Sequence, residues 1–309
     1  MRHAFTIIGS GFGLYGYMPA ISHTTNCNVI LPEKYRRVVE NRPELYRYIQ
    51  NIIWESSTER ALSRSSGVVL AVPPWIQPSI AEDVICFNNI THLILEKPLA
   101  VCPHKSRLLL DKISLTHKRF RVGYIFLYSN WYKKLKSEDH ECSYEFIITW
   151  KFKAHHFRHN LDNWKRKHSK GGGAIRFYGI HLIAVLASLG YSTIIKSETY
   201  DVVFDQPTIW NASFSGLGLP KCTIILSTNS DVDIFSVQSS TSLNTLDNIY
   251  SDKSPFDLSR STQGQDVRAL TLERLIQSLL CDSNDEVPLY TAINNLWTTI
   301  EEYSFPSTL

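Results

Sequence analysis

The sequence predicts an α/β protein whose first part is a doubly wound parallel sheet, and three observations lead there. Short, mainly apolar segments recur at 3–8, 67–72 and 93–95, with helical patterns between them. Strands apolar on both faces belong to parallel sheets covered by helices. A glycine-rich run, Gly9-Ser-Gly-Phe-Gly-Leu-Tyr-Gly16, follows the first of these segments directly. The third ends in Glu96-Lys97-Pro98, which puts a charged pair at the carboxyl end of a buried strand, where open parallel sheets bind their ligands.

Taken in order, the first strand runs straight into the glycines. Such a turn is tight and lets the backbone approach a pyrophosphate, and the helix from Tyr17 would offer its amino terminus to that anion. Gly9 and Gly11 fill the first two positions of G-x-G-x-x-G; the third holds Leu14, with glycines at 13 and 16 instead. Gly9, Gly11, Phe12 and Gly13 are the candidate cofactor contacts, against the alternative of a loop with no ligand. A strand at 28–31 leads to Pro32-Glu33-Lys34. Glu33 stands near the distance at which an acidic residue holds the ribose hydroxyls of NAD. Lys34, Arg36 and Arg37 could receive a 2′-phosphate instead, so NAD and NADP both stay open. The same basic cluster also reads as the solvated first turn of a helix running towards Gln50.

The strand at 67–72 is stopped by Pro73-Pro74, and the helix at 77–87 tolerates Pro78 in its first turn. Pro98 fixes the turn that would aim Lys97 at a substrate oxygen; a solvated Glu96–Lys97 pair is the plainer reading. A helix at 104–117 and a strand at 120–126 follow, and the pattern places a domain boundary near residue 123.

The second half alternates apolar and polar residues. Tyr144, Phe146, Ile148, Trp150 and Phe152 predict a strand with one buried face, and 222–227 and 233–238 have strand-like composition. Their sheet would carry helices or a partner on its other face. Segments 267–281 and 288–303 read as amphipathic helices, and 239–264, rich in Ser, Asp, Asn and Thr, as a long loop. Gly171–Gly173 opens a helical stretch, 174–189, on which Phe177 and His181 share a face. His181 can exchange a proton near neutral pH; a histidine among apolar residues is otherwise an ordinary core residue. The stretch 151–170 is strongly basic, Arg166 included, and could grip a phosphate or the diphosphate of a nucleotide-activated sugar, or be a solvated loop. His155, His156 and His159 have only Asp162 nearby as a carboxylate, so no metal is expected.

Composition sets the outer bounds. A chain of 309 residues, 43% hydrophobic and 20% charged, is an ordinary globular protein with two domains as the starting expectation. A formal net charge of +3 is too small to argue for nucleic acid. Six scattered cysteines without a CxxC pair predict reduced thiols and a cytoplasmic location. No apolar stretch approaches the roughly 20 residues of a membrane span, and the first apolar run leads into glycines rather than a cleavage site, so no secretory leader is expected.

Together these residues resemble the glucose-fructose oxidoreductase, inositol dehydrogenase and MocA-type (Gfo/Idh/MocA) family of NAD(P)-dependent oxidoreductases. The features, in chain order, are the strand and glycine turn, Val72-Pro73-Pro74, Glu96-Lys97-Pro98-Leu99-Ala100, Val122-Gly123-Tyr124, Trp164 ahead of Gly171–Gly173 and His181, and Val287-Pro288-Leu289 with its helix. The resemblance implies a Rossmann domain over 1–122. It implies, over 123–309, a substrate-binding and oligomerisation domain on a large open, mostly antiparallel sheet, with homodimers or homotetramers formed through that sheet. It implies hydride transfer at a hydroxyl or keto carbon of a sugar, nucleotide-activated sugar or cyclitol. The cofactor would be NAD or NADP, touching Val72, Pro73, Pro74, Glu96 and Lys97 as well as the glycine turn. Lys97 and His181 fall on the family's catalytic positions; Tyr124, Trp164 and Arg166 join them at the substrate. Phe177 stands where the family has Asp, and Ala184 where a further acid is common. Tyr178, next to the vacated position, is a third candidate proton donor, although neighbours on a helix point about 100° apart. These departures keep two other functions open: a cofactor-binding sensor or scaffold that has lost turnover, and an imine reductase.

Overall fold

In the computed structural model, which describes residues 3–138, 144–240, 245–256, 266–281 and 285–305, the short apolar strands alternate with helices and line up in parallel. β1 (His3–Ile8) leads through a π-helical turn (Gly13–Tyr17) into α1 (Met18–His23). β2 (Cys27–Pro32) is followed by a 3₁₀ turn (Glu33–Tyr35), α2 (Arg36–Glu40), a 3₁₀ stretch (Pro43–Asn51), β3 (Ile52–Glu55) and α3 (Thr58–Ser63). Then come β4 (Gly67–Leu70), α4 (Gln77–Ile85), β5 (His92–Leu95), α5 (Pro103–Ser114) and β6 (Arg119–Val122). The strands pair in the order β3-β2-β1-β4-β5-β6, all parallel. β4 and β5 are buried throughout, on the apolar runs Val68–Leu70 and Leu93–Leu95. The chain order reverses between β1 and β4, which opens a crevice at the carboxyl ends of those strands.

Two expectations in this part are corrected. The strand expected at 120–126 ends at Val122, and Ile125–Tyr128 is a 3₁₀ turn. The helix foreseen from the basic cluster towards Gln50 is a short α2 and a 3₁₀ stretch, and β3 follows it unforeseen. β3 is a four-residue edge strand with Ile53 exposed, too short to show a period.

The remaining elements are α6 (Asn130–Ser137), β7 (Glu145–Lys153), α7 (His155–Arg158), two 3₁₀ turns, a π-helical turn (Ala174–Gly179) and α8 (Ile180–Leu189). They continue with β8 (Thr193–Val203), β9 (Gln206–Gly216), β10 (Leu219–Ser227), β11 (Asn229–Ser240), β12 (Leu246–Asp252), α9 (Ala269–Cys281) and α10 (Val287–Ser304). The second sheet has the order β12-β11-β7-β10-β9-β8, antiparallel except where β7 meets β10. Its register puts Phe146, Cys222 and Phe214 in one row, Ile148, Ile224 and Ala212 in the next, and Trp150, Leu226 and Trp210 in a third. All nine are buried, so the period of two in β7 is the buried face of the sheet. β8 and β9 were not foreseen, and the loop expected at 239–264 contains β12; residues 257–265 lie outside the described ones.

The chain divides into two compact units, the first made of Met1–Ala100, Leu108–Ile125 and Phe256–Val287, the second of Val101–Arg107, Phe126–Pro255 and Pro288–Leu309. The path therefore passes between units after Ala100, Arg107, Ile125, Pro255 and Val287. Among the described residues no helix is long and apolar enough to cross a membrane. Cys27, Cys86, Cys102, Cys222 and Cys281 are free thiols; Cys142 is outside the described residues.

Candidate functional site

The candidate residues form two groups, one in each unit. In the first unit they gather at the carboxyl edge of the parallel sheet. Gly9 has φ +131°, and a Cβ there would stand 2.1 Å from the carbonyl oxygen of Ala71, so β1 and β4 approach at this point only because Gly9 has no side chain. The Gly9 N–H donates to Tyr35 Oη at 3.0 Å. Gly13 is a packing glycine, whose Cβ would meet Ile7 Cγ2 at 2.7 Å. Gly11 differs: its Cβ position has nothing within 4 Å. That open face, at the start of the turn leading into α1, is a cradle that a side chain would fill, and it fits the approach of a dinucleotide's diphosphate. Phe12 lies edge-on to Tyr15 and Tyr17, with ring centroids at 5.5 and 5.3 Å, and its ring occupies the space beside Gly16.

Glu96 and Lys97 follow β5 at the same edge, both half-buried. Tyr17 Oη donates to Glu96 Oε1 at 2.6 Å. A Cβ on Gly123 would come within 2.7 Å of that carboxylate oxygen and 2.9 Å of Tyr17 Oη, so the glycine of Val122-Gly123-Tyr124 makes room for the pair. Burial raises the Glu96 carboxyl above its ordinary range, against the opposing pull of Lys97, Tyr17 and Arg268. The turn is fixed by Gln77, fully buried at the start of α4. Its Nε2 donates to the carbonyls of Glu96 (2.7 Å) and Leu99 (3.1 Å), and its Oε1 accepts from the Glu96 N–H at 3.1 Å. One side chain thus holds the backbone on both sides of Lys97. Pro74 is buried and Val72 and Pro73 half-buried just past β4; Tyr124 is buried, which pushes its phenol up.

Glu33 sits past β2, exposed and in a two-point pair with Arg36 (2.7 Å to each oxygen), which holds its carboxyl below the usual range. Lys34 Nζ lies 5.3 Å from the Tyr35 ring centroid, and Arg36 stacks on Trp54 at 4.3 Å. Acid and cations from the sequence analysis are therefore neighbours, and Arg36 already engages the acid.

In the second unit the triple glycine is a packing device. Gly171 and Gly173 have φ +83° and +75°, and a Cβ on Gly172 would lie 2.2 Å from the carbonyl oxygen of Trp164. His181 is buried at 4% exposure, and its ring stacks on Phe126 with centroids at 4.8 Å. Tyr178 is ringed by aromatic side chains: Phe177 (4.8 Å), Phe152 (5.0 Å), Trp150 (5.8 Å) and His156 (6.1 Å). Phe177 meets Trp164 edge-on at 5.3 Å, with Lys165 Nζ 5.3 Å from its ring centroid. The position expected to carry an acid is thus an aromatic contact. Arg166 stacks on Phe157 at 4.6 Å and donates to the His156 carbonyl. Burial, then Arg166, Lys165 and His155, push His156 down to about 4, which keeps it neutral. The basic stretch is partly paired: Lys153 with Asp231 at 2.8 Å, Lys167 with Asp162 at 3.4 Å.

Sequence reasoning missed Gln77, Tyr17 and a cluster around Glu301. Glu301 accepts from Arg176 at 2.8 and 2.9 Å and from Trp297 Nε1 at 2.8 Å, and its Oε2 lies 2.9 Å from His168 Nε2. His168 and Arg176 hold its carboxyl down to about 2 in spite of burial. Arg176 also donates to the carbonyls of Val101 and His168, each at 2.8 Å. The only signal was the type: polar residues inside apolar segments, whose partners are far away in sequence.

No family model matches the sequence, and no curated protein matches it. Solved structures do match in fold. The WlbA dehydrogenase from Bordetella pertussis, in complex with NADH and UDP-GlcNAcA, is 14% identical with a TM-score of 0.72, over 97% of this chain and 95% of that one. A myo-inositol dehydrogenase from Corynebacterium glutamicum is 12% identical, TM-score 0.72, over 98% and 97%. KijD10, a 3-ketoreductase from Actinomadura kijaniata in complex with NADP and TDP-benzene, is 10% identical, TM-score 0.69, over 97% of each chain. The likeness is one of fold, it spans nearly the whole chain, and it is the two-sheet fold that the sequence resemblance implies.

Proposed function

We propose that this protein is an NAD(P)-dependent oxidoreductase acting on CH–OH groups, with a sugar, nucleotide-activated sugar or cyclitol as substrate. One observation carries the reading: the open face at Gly11 and the Glu96–Lys97 turn lie at the same carboxyl edge of a 3-2-1-4-5-6 parallel sheet. The fold likeness to dehydrogenases and a ketoreductase of such substrates supports it. Gly9, Gly11, Phe12 and Gly13 would hold the diphosphate; Val72, Pro73, Pro74, Glu96 and Lys97 would line the nicotinamide half. Glu33 or Lys34 would decide between NAD and NADP. When bound, the nicotinamide supplies or takes the hydride.

The protein's own part is to orient and to manage one proton. Lys97 donates a hydrogen bond to the reacting oxygen and stabilises charge that develops there. Gln77 keeps the turn around Lys97 in place through hydrogen bonds to the backbone of Glu96, Pro98 and Leu99. His181 exchanges the proton, with Tyr178 as the second candidate; Tyr124, Trp164 and Arg166 contact the substrate. Residues 1–122 would form most of the cofactor domain and 123–309 most of the substrate domain. Pairing of subunits would use the face of the second sheet that presents Ile147, Thr149, Thr223 and Ile225, all half-buried. A cytoplasmic location and the absence of nucleic-acid and membrane partners belong to the same reading. Titration of the purified protein with NADH and NADPH, followed by a panel of sugars, nucleotide sugars and cyclitols, tests it; no binding of either cofactor would overturn it. A second reading is favoured by Phe177, whose contact with Trp164 replaces an acid: a sensor of the cofactor, for which binding without turnover on the whole panel is the expected result.

A further inference from the structure

The segment that returns to the first unit, Phe256–Val287, brings a cation to the glycine turn. Arg268 stands just before α9, and its guanidinium lies over the face of Phe12, 4.0 Å from the ring centroid, and 5.9 Å from that of Tyr15. Asp266 holds it at two points, Nε at 2.7 Å and Nη2 at 2.6 Å, and Glu96 and Tyr15 are within its electrostatic reach. Nothing in the strand–helix alternation would place an arginine here.

We propose that Arg268 is a cofactor-binding residue, which supplies positive charge to the diphosphate at the open face of Gly11. This rests on the NAD(P) reading above. Phe12 follows Gly11 in the chain, so the guanidinium stacks on a ring that belongs to the same glycine turn. Arginine is suited to the task, because its planar fork stacks on an aromatic face while still presenting N–H donors to phosphate oxygens. The stack on Phe12 holds the fork in place before the ligand arrives, which lowers the ordering cost of binding. Asp266 has a second job in the turn ahead of α9: its carbonyl accepts the Ala269 N–H at 3.0 Å, and its carboxylate accepts the Arg268 N–H at 2.9 Å. Asn makes such a turn as well as Asp, so Asp266→Asn removes the charge and keeps the turn.

That substitution separates a binding role from a structural one. NADH and NADPH affinities would be measured by fluorescence titration for wild type, Arg268→Gln and Asp266→Asn, with the thermal midpoint of each. Arg268→Gln should weaken the cofactor that wild type binds by about ten- to hundredfold, the scale of one charge-assisted hydrogen bond. Asp266→Asn should bind at least as tightly as wild type, because a carboxylate near the diphosphate has gone. Equal affinity for Arg268→Gln and wild type would overturn the proposal. So would an Asp266→Asn protein weakened alongside Arg268→Gln, the mark of an ion pair that merely holds the fold. Should wild type bind neither cofactor, the functional reading itself fails, a result distinct from both.

Discussion

The carboxyl edge of the parallel sheet and the aromatic wall around Tyr178 solve different problems. At the first, glycines clear space and polar side chains fix the backbone: Gly9 and Gly123 admit close neighbours, Gln77 clamps the Lys97 turn, and Tyr17 holds Glu96. At the second, rings fill the space: Phe177 against Trp164, Tyr178 against Phe152 and Trp150, His181 against Phe126. In the proposed function the first receives the charged diphosphate of the cofactor. The second departs from the residues its resemblance implies and sets what is individual about this protein.

The comparison breaks first at Lys97. A charge-stabilising donor acts more strongly in the transition state than in the ground state. Lys97→Ala should lower kcat by about two to three orders of magnitude with little change in cofactor affinity, the scale of one lost electrostatic donor. Steady-state kinetics on a verified substrate checks this, and Lys97→Arg should rescue poorly because the guanidinium is larger and keeps its proton.

Next in size is Glu301, the one strongly polar cluster of the second unit described above. Its carboxyl falls from 4.5 to about 2 on folding, which at roughly 1.4 kcal/mol per pH unit is about 3 kcal/mol of stability. A depressed carboxyl stabilises the fold above its unfolded value. The contribution is complete above about pH 5 and is lost as pH falls towards 2. Glu301→Gln should cost about 3 kcal/mol at neutral pH in urea melts and flatten the acid limb; an unchanged acid limb would show the cluster to be solvent-screened.

Smaller effects sharpen the contrast. His181→Ala should reduce kcat less than Lys97→Ala, on the order of tenfold, and remove any pH dependence of kcat near neutrality. A pH profile parallel to wild type would leave His181 as a core residue. Smaller still, Glu33→Ala should weaken NAD by a few-fold more than NADP; equal changes in the two titrations would take Glu33 out of the ribose site.

The sequence made some of this legible and hid the rest for physical reasons. β1, β4 and β5 could be read from their buried apolar residues, Phe5 with Ile7 and Ile8, Val68–Leu70 and Leu93–Leu95, and the glycine turn because its spacing is set by close backbone contacts. β3, β8, β9 and β12 could not. β3 is a four-residue edge strand, and β12 is exposed along most of its length with Ile249 buried. β8 lies at the sheet edge with Lys196 and Glu198 on its exposed side. β9 carries its buried Trp210, Ala212 and Phe214 between Asn and Ser residues. Lys97 and His181 were visible by type and position. Gln77, Tyr17, Arg176 and Arg268 were not, since each takes its meaning from a partner brought in by tertiary structure.

The central claim is that the cradle at Gly11 receives a dinucleotide, and one titration tests it. Gly11 has open space where a side chain would go, so Gly11→Val should fold as wild type does. Calorimetric titration with NADH and NADPH should show binding to wild type and none to a Gly11→Val protein with the same circular dichroism spectrum and thermal midpoint. Equal binding by the two proteins would contradict the account.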